Sequence, residues 1–184
     1  MSDKKIIGLE ELARICEERK REGKLVVHCH GCFDLLHPGH IRHFKAAKKF
    51  GDILIVTITP DEFVRKGPGR PAFNADLRME SIASLEVVDY VALNRWDTAI
   101  ETLKILKPSF YVKGKDYEDR SKDPTGNIDL EEVAVRENGG DIRFTDEIAF
   151  SSTKLINEYS DALSGEAGDF IKRWGIFRRQ SKDE

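Results

Sequence analysis

The chain has 184 residues, 40% of them hydrophobic and 34% charged, and a formal net charge of -3. That balance fits one soluble domain with a full core, needing neither disulfides nor metals. It excludes the basic footprint of a nucleic-acid binder, and no run of about 18 apolar residues offers a membrane-spanning helix. Three cysteines, an odd number, and a start MSDKKIIGLE without the apolar stretch of a signal peptide point to a reducing, cytoplasmic setting.

Residues 3–22 read as a helix, with Ile6, Ile7, Leu9, Leu12, Ala13, Ile15 and Cys16 on one broad stripe and Gly23 ending it. Residues 1–22 are thus an accessory helical segment ahead of a main domain at 23–160. Residues 24–30 form the first strand, and residues 40–50 a helix with Phe44, Ala47 and Phe50 toward the sheet and Gly51 suited to cap it. ILIVTIT, residues 53–59, is apolar enough to be buried on both faces, as in a parallel sheet. Residues 60–76 change character and read as a long loop on the carboxyl side of that strand, where open α/β sheets hold ligands. A helix over residues 77–85, capped by Asn74 or Asp76, leads to a third strand, residues 87–93.

Asp97 or Thr98 can cap a helix to Leu106, which Pro108 stops. A short strand, 110–112, a polar loop, 114–127, a helix, 129–138, and a fifth strand, 141–144, follow. Ser151 or Ser152 caps a last helix through Tyr159. The alternation predicts a three-layer, Rossmann-like α/β fold with a five-stranded parallel sheet and right-handed crossovers. Residues 161–184 stand apart: Gly165 to Gly168 read as a linker, and Phe170, Ile171, Trp174, Ile176 and Phe177 mix with Lys172, Arg173, Arg178 and Arg179 in a docked or linking tail.

All five histidines lie between His28 and His43, so chemistry is sought there. Strand, Gly31, and the helix start at HPGH, residues 37–40, make a natural anion site. Two imidazoles three positions apart at a helix N-terminus can share one end of the helix and donate to phosphate oxygens. Zinc held by these histidines with Cys32 and Asp34 is the rival reading; the spacing fits no usual zinc pattern, and a positive helix end disfavours a cation. Cys29-His30-Gly31-Cys32 has the form CxxC but spans a strand end instead of opening a helix, so the cysteines read as incidental. Neither a Walker A sequence nor GxGxxG is present, and KGPGRP, residues 66–71, is a weak phosphate-loop candidate.

GCFDLLHPGH resembles the signature of the HxGH nucleotidyltransferases, cytidylyl- and adenylyltransferases acting on small phosphorylated alcohols and sugars. LRMESIASLEVVDYV (77–91), YVKGKDY (111–117) and GGDIRFTDEIAFSSTKLI (139–156) resemble three further blocks in the same order. The similarity leans toward the adenylyltransferase domain of bifunctional heptose-phosphate enzymes and toward glycerol-3-phosphate cytidylyltransferases. It implies transfer of a nucleoside monophosphate from ATP or CTP to a phosphorylated acceptor. The first acceptor is a heptose 1-phosphate-like sugar phosphate, and the alternative is glycerol 3-phosphate or another polyol phosphate with CTP. It also implies Mg²⁺ carried with the nucleotide, no nucleic-acid or membrane partner, and a homodimer. A reading of another class, a non-catalytic nucleotide-binding regulatory module, is disfavoured by the intact HPGH.

The resemblance further assigns roles. His37 and His40 would contact the triphosphate, with Lys48 neutralising phosphate charge. Gly31, Cys32 and Phe33 would bring backbone amides to the nucleotide. Arg78, Lys113 and Gly114 would border the nucleotide, and Lys66 would face the acceptor phosphate. Ser151, Ser152 and Thr153 would bind the β- and γ-phosphates. No protein metal ligand is implied. Phe144 stands where cytidylyltransferases carry an arginine, Arg143 is one position off, Ile148-Ala149-Phe150 replaces a short glycine-isoleucine step, and the loop 117–129 is long. These departures leave the base and the acceptor open.

Overall fold

Strands and helices alternate along the chain as the apolar runs predict, and the computed structural model describes residues 2–67, 70–120 and 126–146. Helix α1 (Leu9–Arg21) precedes strand β1 (Val26–Gly31). Then come α2 (Pro38–Lys48), β2 (Ile53–Ile58), α3 (Ala75–Ala83), β3 (Tyr90–Leu93), α4 (Ile100–Leu106), β4 (Phe110–Gly114), α5 (Ile128–Glu137) and β5 (Asp141–Thr145). The five strands pair in parallel in the order β3-β2-β1-β4-β5. The order reverses between β1 and β4, so a crevice opens at the carboxyl ends of those two strands.

Side-chain alternation along the strands builds the layers. Val27 and Cys29 of β1, Leu54, Val56 and Ile58 of β2, Val91 of β3 and Val112 of β4 share one cluster with Phe44 and Ala47 of α2 and Met79, Ile82 and Ala83 of α3. The intervening residues face the other way: Val26, Ile55 and Ala92 meet Leu9, Leu12 and Cys16 of α1. Tyr111 and Ile142 meet Leu103 of α4 and Val135 of α5. The sheet is thus buried on both faces, the three-layer arrangement expected of its apolar strands.

Several boundaries differ from the sequence reading. The N-terminal segment is not one helix: Ser2–Lys5 form a 3-10 turn, Ile6 bridges Val91, and Ile7 N donates to Val91 O at 3.0 Å, so the chain extends the sheet edge before α1 starts. Asn74 caps α3, its side chain accepting from Leu77 N at 3.0 Å, which starts the helix at Ala75. Helix α4 starts at Ile100 with no side-chain cap, because Asn94 takes over the preceding turn by donating to Trp96 O and Thr98 O. Gly51 does not cap α2, which ends on Lys49. A Cβ at Gly51 would lie 2.6 Å from Leu25 O, so close backbone approach is what excludes a side chain there. The tail 161–184 and the helix placed at 151–159 fall outside the described residues.

The pair Gly139-Gly140 separates two causes of glycine preference. Gly139 has φ 83 and open space around it, whereas a Cβ on Gly140 would lie 2.2 Å from Pro108 O. Gly140→Ala is expected to cost about 1–3 kcal/mol through overpacking against backbone. Gly139→Ala is expected to cost about 1–2 kcal/mol through backbone strain alone. Urea unfolding should show the larger fall in midpoint for Gly140→Ala; the reverse order would contradict the packing argument.

Candidate active site

β1 runs into a turn built on Gly31 and Phe33. A Cβ on Gly31 would lie 3.0 Å from Phe33 Cζ, so the glycine makes room for that ring to fold back. Phe33 holds φ 46, in the left-handed region that costs a non-glycine residue about 1–2 kcal/mol. Burial of the ring offsets the strain: it meets His40 edge-on at 5.2 Å and Phe44 at 5.0 Å. Next in the turn, the buried Asp34 carboxylate accepts from Arg70 Nε and from Ala72 N, the latter at 2.6 Å. Both oxygens are spent on the far root of the loop 60–76, which draws Lys66 toward the motif.

Helix α2 opens with His37 at its N-cap and Pro38 in its first turn, where a fixed φ and a missing N–H cost nothing. His37 and His40, one helical step apart, stack with ring centroids 3.7 Å apart and planes 23° apart. Two stacked imidazolium cations would repel. Burial, then His37, Lys66 and His43, hold His40 down at about 3. His37 is lowered too, by burial and by Lys66. The pair is therefore neutral near pH 7, each ring offering one N–H. The Nδ1 atoms of both rings are buried without a hydrogen-bond partner among the described residues. No acidic residue stands in the first turn of α2, and Lys66 is exposed beside it. Neutral donors, a helix N-terminus and an ammonium make a receptor for a polyanion.

A polar layer beneath this turn ties it to the neighbouring strands. Thr145 of β5 is buried, hydrogen-bonds His43 Nδ1 at 2.8 Å, and gives its proton to Lys113 O at 3.5 Å. The motif helix is thereby pinned to β4 and β5, across the crevice from β1. Lys113 is itself buried: its ammonium lies 3.1 Å from Glu131 Oε2, 3.2 Å from Tyr111 Oη and 4.4 Å from the centre of the Tyr117 ring. On β1, His28 and His30 share the hydroxyl of Thr57.

The structure gathers some of the sequence-assigned residues and separates others. Gly31, Cys32, Phe33, His37 and His40 belong to one turn and helix start, and Lys66 acts electrostatically on Cys32, His37 and His40. Lys48 does not join them. It lies at the opposite end of α2, donating to Asp52 O at 2.6 Å and pairing with Asp89, whose carboxylate also accepts from Leu54 N at the amino end of β2. It is a tie under the sheet, not a phosphate ligand.

Arg78 is also reassigned. Its guanidinium is buried and donates to Phe73 O, Cys32 O, Thr59 O and Asp61 Oδ1 at 3.1, 2.5, 2.8 and 2.6 Å. Desolvating a cation is costly, and these four acceptors offset it. The side chain clamps the turn and the loop, and four of its five N–H donors are spent there instead of on a nucleotide. The Lys113 ammonium likewise is spent on Glu131 and Tyr111, which leaves its backbone and Gly114 as the groups facing the crevice. A Cβ on Gly114 would meet nothing within 4 Å. Ser151, Ser152 and Thr153 lie outside the described residues. Cys29 points into the core and Cys32 sits in the turn, both free thiols whose pKa burial raises. Among the described residues no group of three or more His, Cys, Asp or Glu side chains is arranged to hold a metal, and no helix is long and apolar enough to cross a membrane. Sequence reasoning passed over His30 and His43; their clustering with His37 and His40 was the available signal.

Comparisons with known proteins agree with this geometry. Residues 28–158 match the family described as Cytidylyltransferase-like. The chain is similar to "Bifunctional protein HldE" of Sulfurimonas denitrificans, 46% identical over 122 residues, 65% of this chain and 26% of that protein. It is similar to the protein of the same description from Campylobacter fetus subsp. fetus, 39% identical over 158 residues, 85% of this chain and 31% of that protein. The chain therefore spans about a quarter to a third of the length of these relatives. Among solved structures, the lipopolysaccharide core biosynthesis protein from Thermoplasma volcanium GSS1 superposes with a TM-score of 0.56 at 26% identity, covering 70% of this chain and 100% of that one. The pantoate-beta-alanine ligase of Francisella tularensis, at 16% identity and a TM-score of 0.55, over 86% of this chain and 77% of that one, shares the fold.

Proposed function

Because this chain belongs to the cytidylyltransferase-like family of nucleotidyltransferases, we propose that it transfers a nucleoside monophosphate from ATP or CTP to a sugar phosphate, heptose 1-phosphate in kind, and releases pyrophosphate. The observation that carries this reading is the stacked, neutral His37–His40 pair at the start of α2, with Lys66 close by. A phosphate oxygen of the acceptor attacks the α-phosphorus, and the bond from that phosphorus to the bridging oxygen of pyrophosphate breaks. The leaving group takes the electron pair. An acceptor phosphate is already nucleophilic at neutral pH, so no general base is needed. The protein aligns two anions and neutralises the charge growing on the α-phosphate and the departing pyrophosphate.

His37 and His40 donate to those oxygens, and Lys66 draws in the acceptor phosphate. Arg78 and Asp34 hold the turn and loop that present these groups. Mg²⁺ belongs to the proposal as a companion of the nucleotide. Among the described residues no group of acidic side chains is arranged to cage it, and both Asp34 oxygens are engaged by Arg70 and Ala72, so phosphate oxygens and water would supply its ligands.

The test is pyrophosphate release by the full chain with each nucleoside triphosphate and Mg²⁺, against hexose and heptose 1-phosphates and glycerol 3-phosphate. Turnover is expected with a sugar 1-phosphate and one preferred triphosphate. Nucleotide binding without turnover on any phosphorylated acceptor would instead favour a regulatory module.

A further inference from the structure

His28 and His30 leave β1 on the same side of the sheet and converge on one hydroxyl of β2. Thr57 Oγ1 lies 2.7 Å from His28 Nε2 and 2.9 Å from His30 Nδ1, and the parallel register sets Thr57 beside His30. A hydroxyl has one proton and two lone pairs, and among the described residues Thr57 Oγ1 shows no acceptor for its proton other than these two nitrogens, so it donates to one and accepts from the other. His28 is fully buried, and its Nδ1 has no partner among the described residues. Were Thr57 to donate to His28, the His28 proton would sit on Nδ1 as a buried N–H with no acceptor. Donation to His30 instead leaves a bare lone pair on His28 Nδ1, the cheaper orphan of the two. Burial and then the nearby Lys113 ammonium push His30 down to about 3, against a hydrogen bond with the Thr57 backbone, and burial, then His30 and Lys113, lower His28 well below its ordinary value, so both rings stay neutral. The relay from His28 Nε2–H through the Thr57 hydroxyl to His30 Nδ1 therefore fixes the His30 proton on Nε2.

That nitrogen stands at the carboxyl end of β1, one residue before Gly31. It is 3.4 Å from Thr59 Oγ1, too long for a strong bond, and His30 and Thr59 are both half-buried. We infer that His30 Nε2–H and the Thr59 hydroxyl form a neutral subsite for a hydroxyl of the acceptor, which selects polyhydroxylated sugar phosphates over simple alkyl phosphates. The subsite rests on the nucleotidyl transfer proposed above. His30 gives its proton to the sugar oxygen, and that oxygen gives its own to Thr59 Oγ1. The phosphates belong to Lys66 and the His37–His40 pair. A neutral donor held in one tautomer suits an uncharged oxygen, and a site built to bond a hydroxyl discriminates against analogues lacking it.

Two measurements on the full chain test this. Long-range 1H–15N correlation should show His30 protonated on Nε2, and adding a sugar 1-phosphate without nucleotide should shift the His30 signals. A proton on Nδ1, or signals that do not move, would overturn the subsite. In steady-state kinetics, His30→Phe keeps the ring and loses the bond. It should raise KM for the sugar phosphate about tenfold, leave KM for the nucleotide unchanged, and have no effect with ethyl phosphate as acceptor. His30→Gln, which restores an N–H, should recover part of the loss. Equal losses with both acceptors, or a raised nucleotide KM, would mean a structural role and refute the inference. Should no acceptor turn over with the wild-type chain, the proposed function fails on its own, while the spectroscopic titration still decides the subsite.

Discussion

His40→Ala should lower kcat for pyrophosphate release by about 10²–10³-fold, the loss seen when one preorganised donor is removed from a developing anion. The structure explains why one residue carries so much. His40 is edge-packed on Phe33 and stacked on His37, so its ring stands in a fixed orientation before any ligand arrives. Being neutral, it holds no counterion to shed. His37→Ala should cost a similar factor, and the double variant much less than the product of the two, because the rings act on one phosphate chain. Urea unfolding of His40→Ala should fall by no more than about 1–2 kcal/mol, since the ring is only partly buried. Turnover within a few-fold of wild type would remove the mechanism.

Stability should collapse in mild acid. Burial lowers His28, holds His30 and His40 at about 3, and holds His43 at about 4, while in the unfolded chain each titrates near 6.5. Between those values the unfolded state binds protons that the folded state refuses, so stability falls as pH drops below about 6.5 and is unaffected by these groups above it. Each histidine contributes up to about 1.4 kcal/mol per pH unit, and His30, His40 and His43 together up to about 4 kcal/mol per pH unit between roughly pH 6 and 4, with His28 acting in the same direction. A domain of ordinary stability, about 5–15 kcal/mol, would lose much of it across that window. Urea midpoints measured from pH 7 to 4.5 should decline steeply, and His43→Gln, which keeps a donor for Thr145, should flatten the slope. A flat profile would mean that these rings accept protons in place.

The layers of the fold were legible because strands buried on both faces leave an unmistakable apolar record. Val26 and Val27 needed no tertiary knowledge to be placed inside. The HPGH turn was legible too, since its spacing carries a geometric consequence along one helix. Lys48 and Arg78 were not. Eight residues beyond His40, Lys48 is displaced by about 12 Å along the helix axis, at the wrong end of the sheet. Arg78 looks like any exposed ligand-seeking arginine until Cys32 and Thr59, 46 and 19 positions away, are seen to accept from it. Long-range pairings of that kind leave no local periodicity. The His28–Thr57–His30 relay escaped for the same reason, its two strands being joined only by register.

The loop 60–76 has consequences for how this enzyme could change its acceptor. Arg78 grips Asp61 and Phe73, and Asp34 grips Arg70 and Ala72. Its two bases are thereby riveted to the scaffold while the described tip, residues 62–67, holds Lys66 outward. New acceptors could be sought by grafting alternative tips between unaltered rivets. Exchanging the bases as well would carry the catalytic turn away with them.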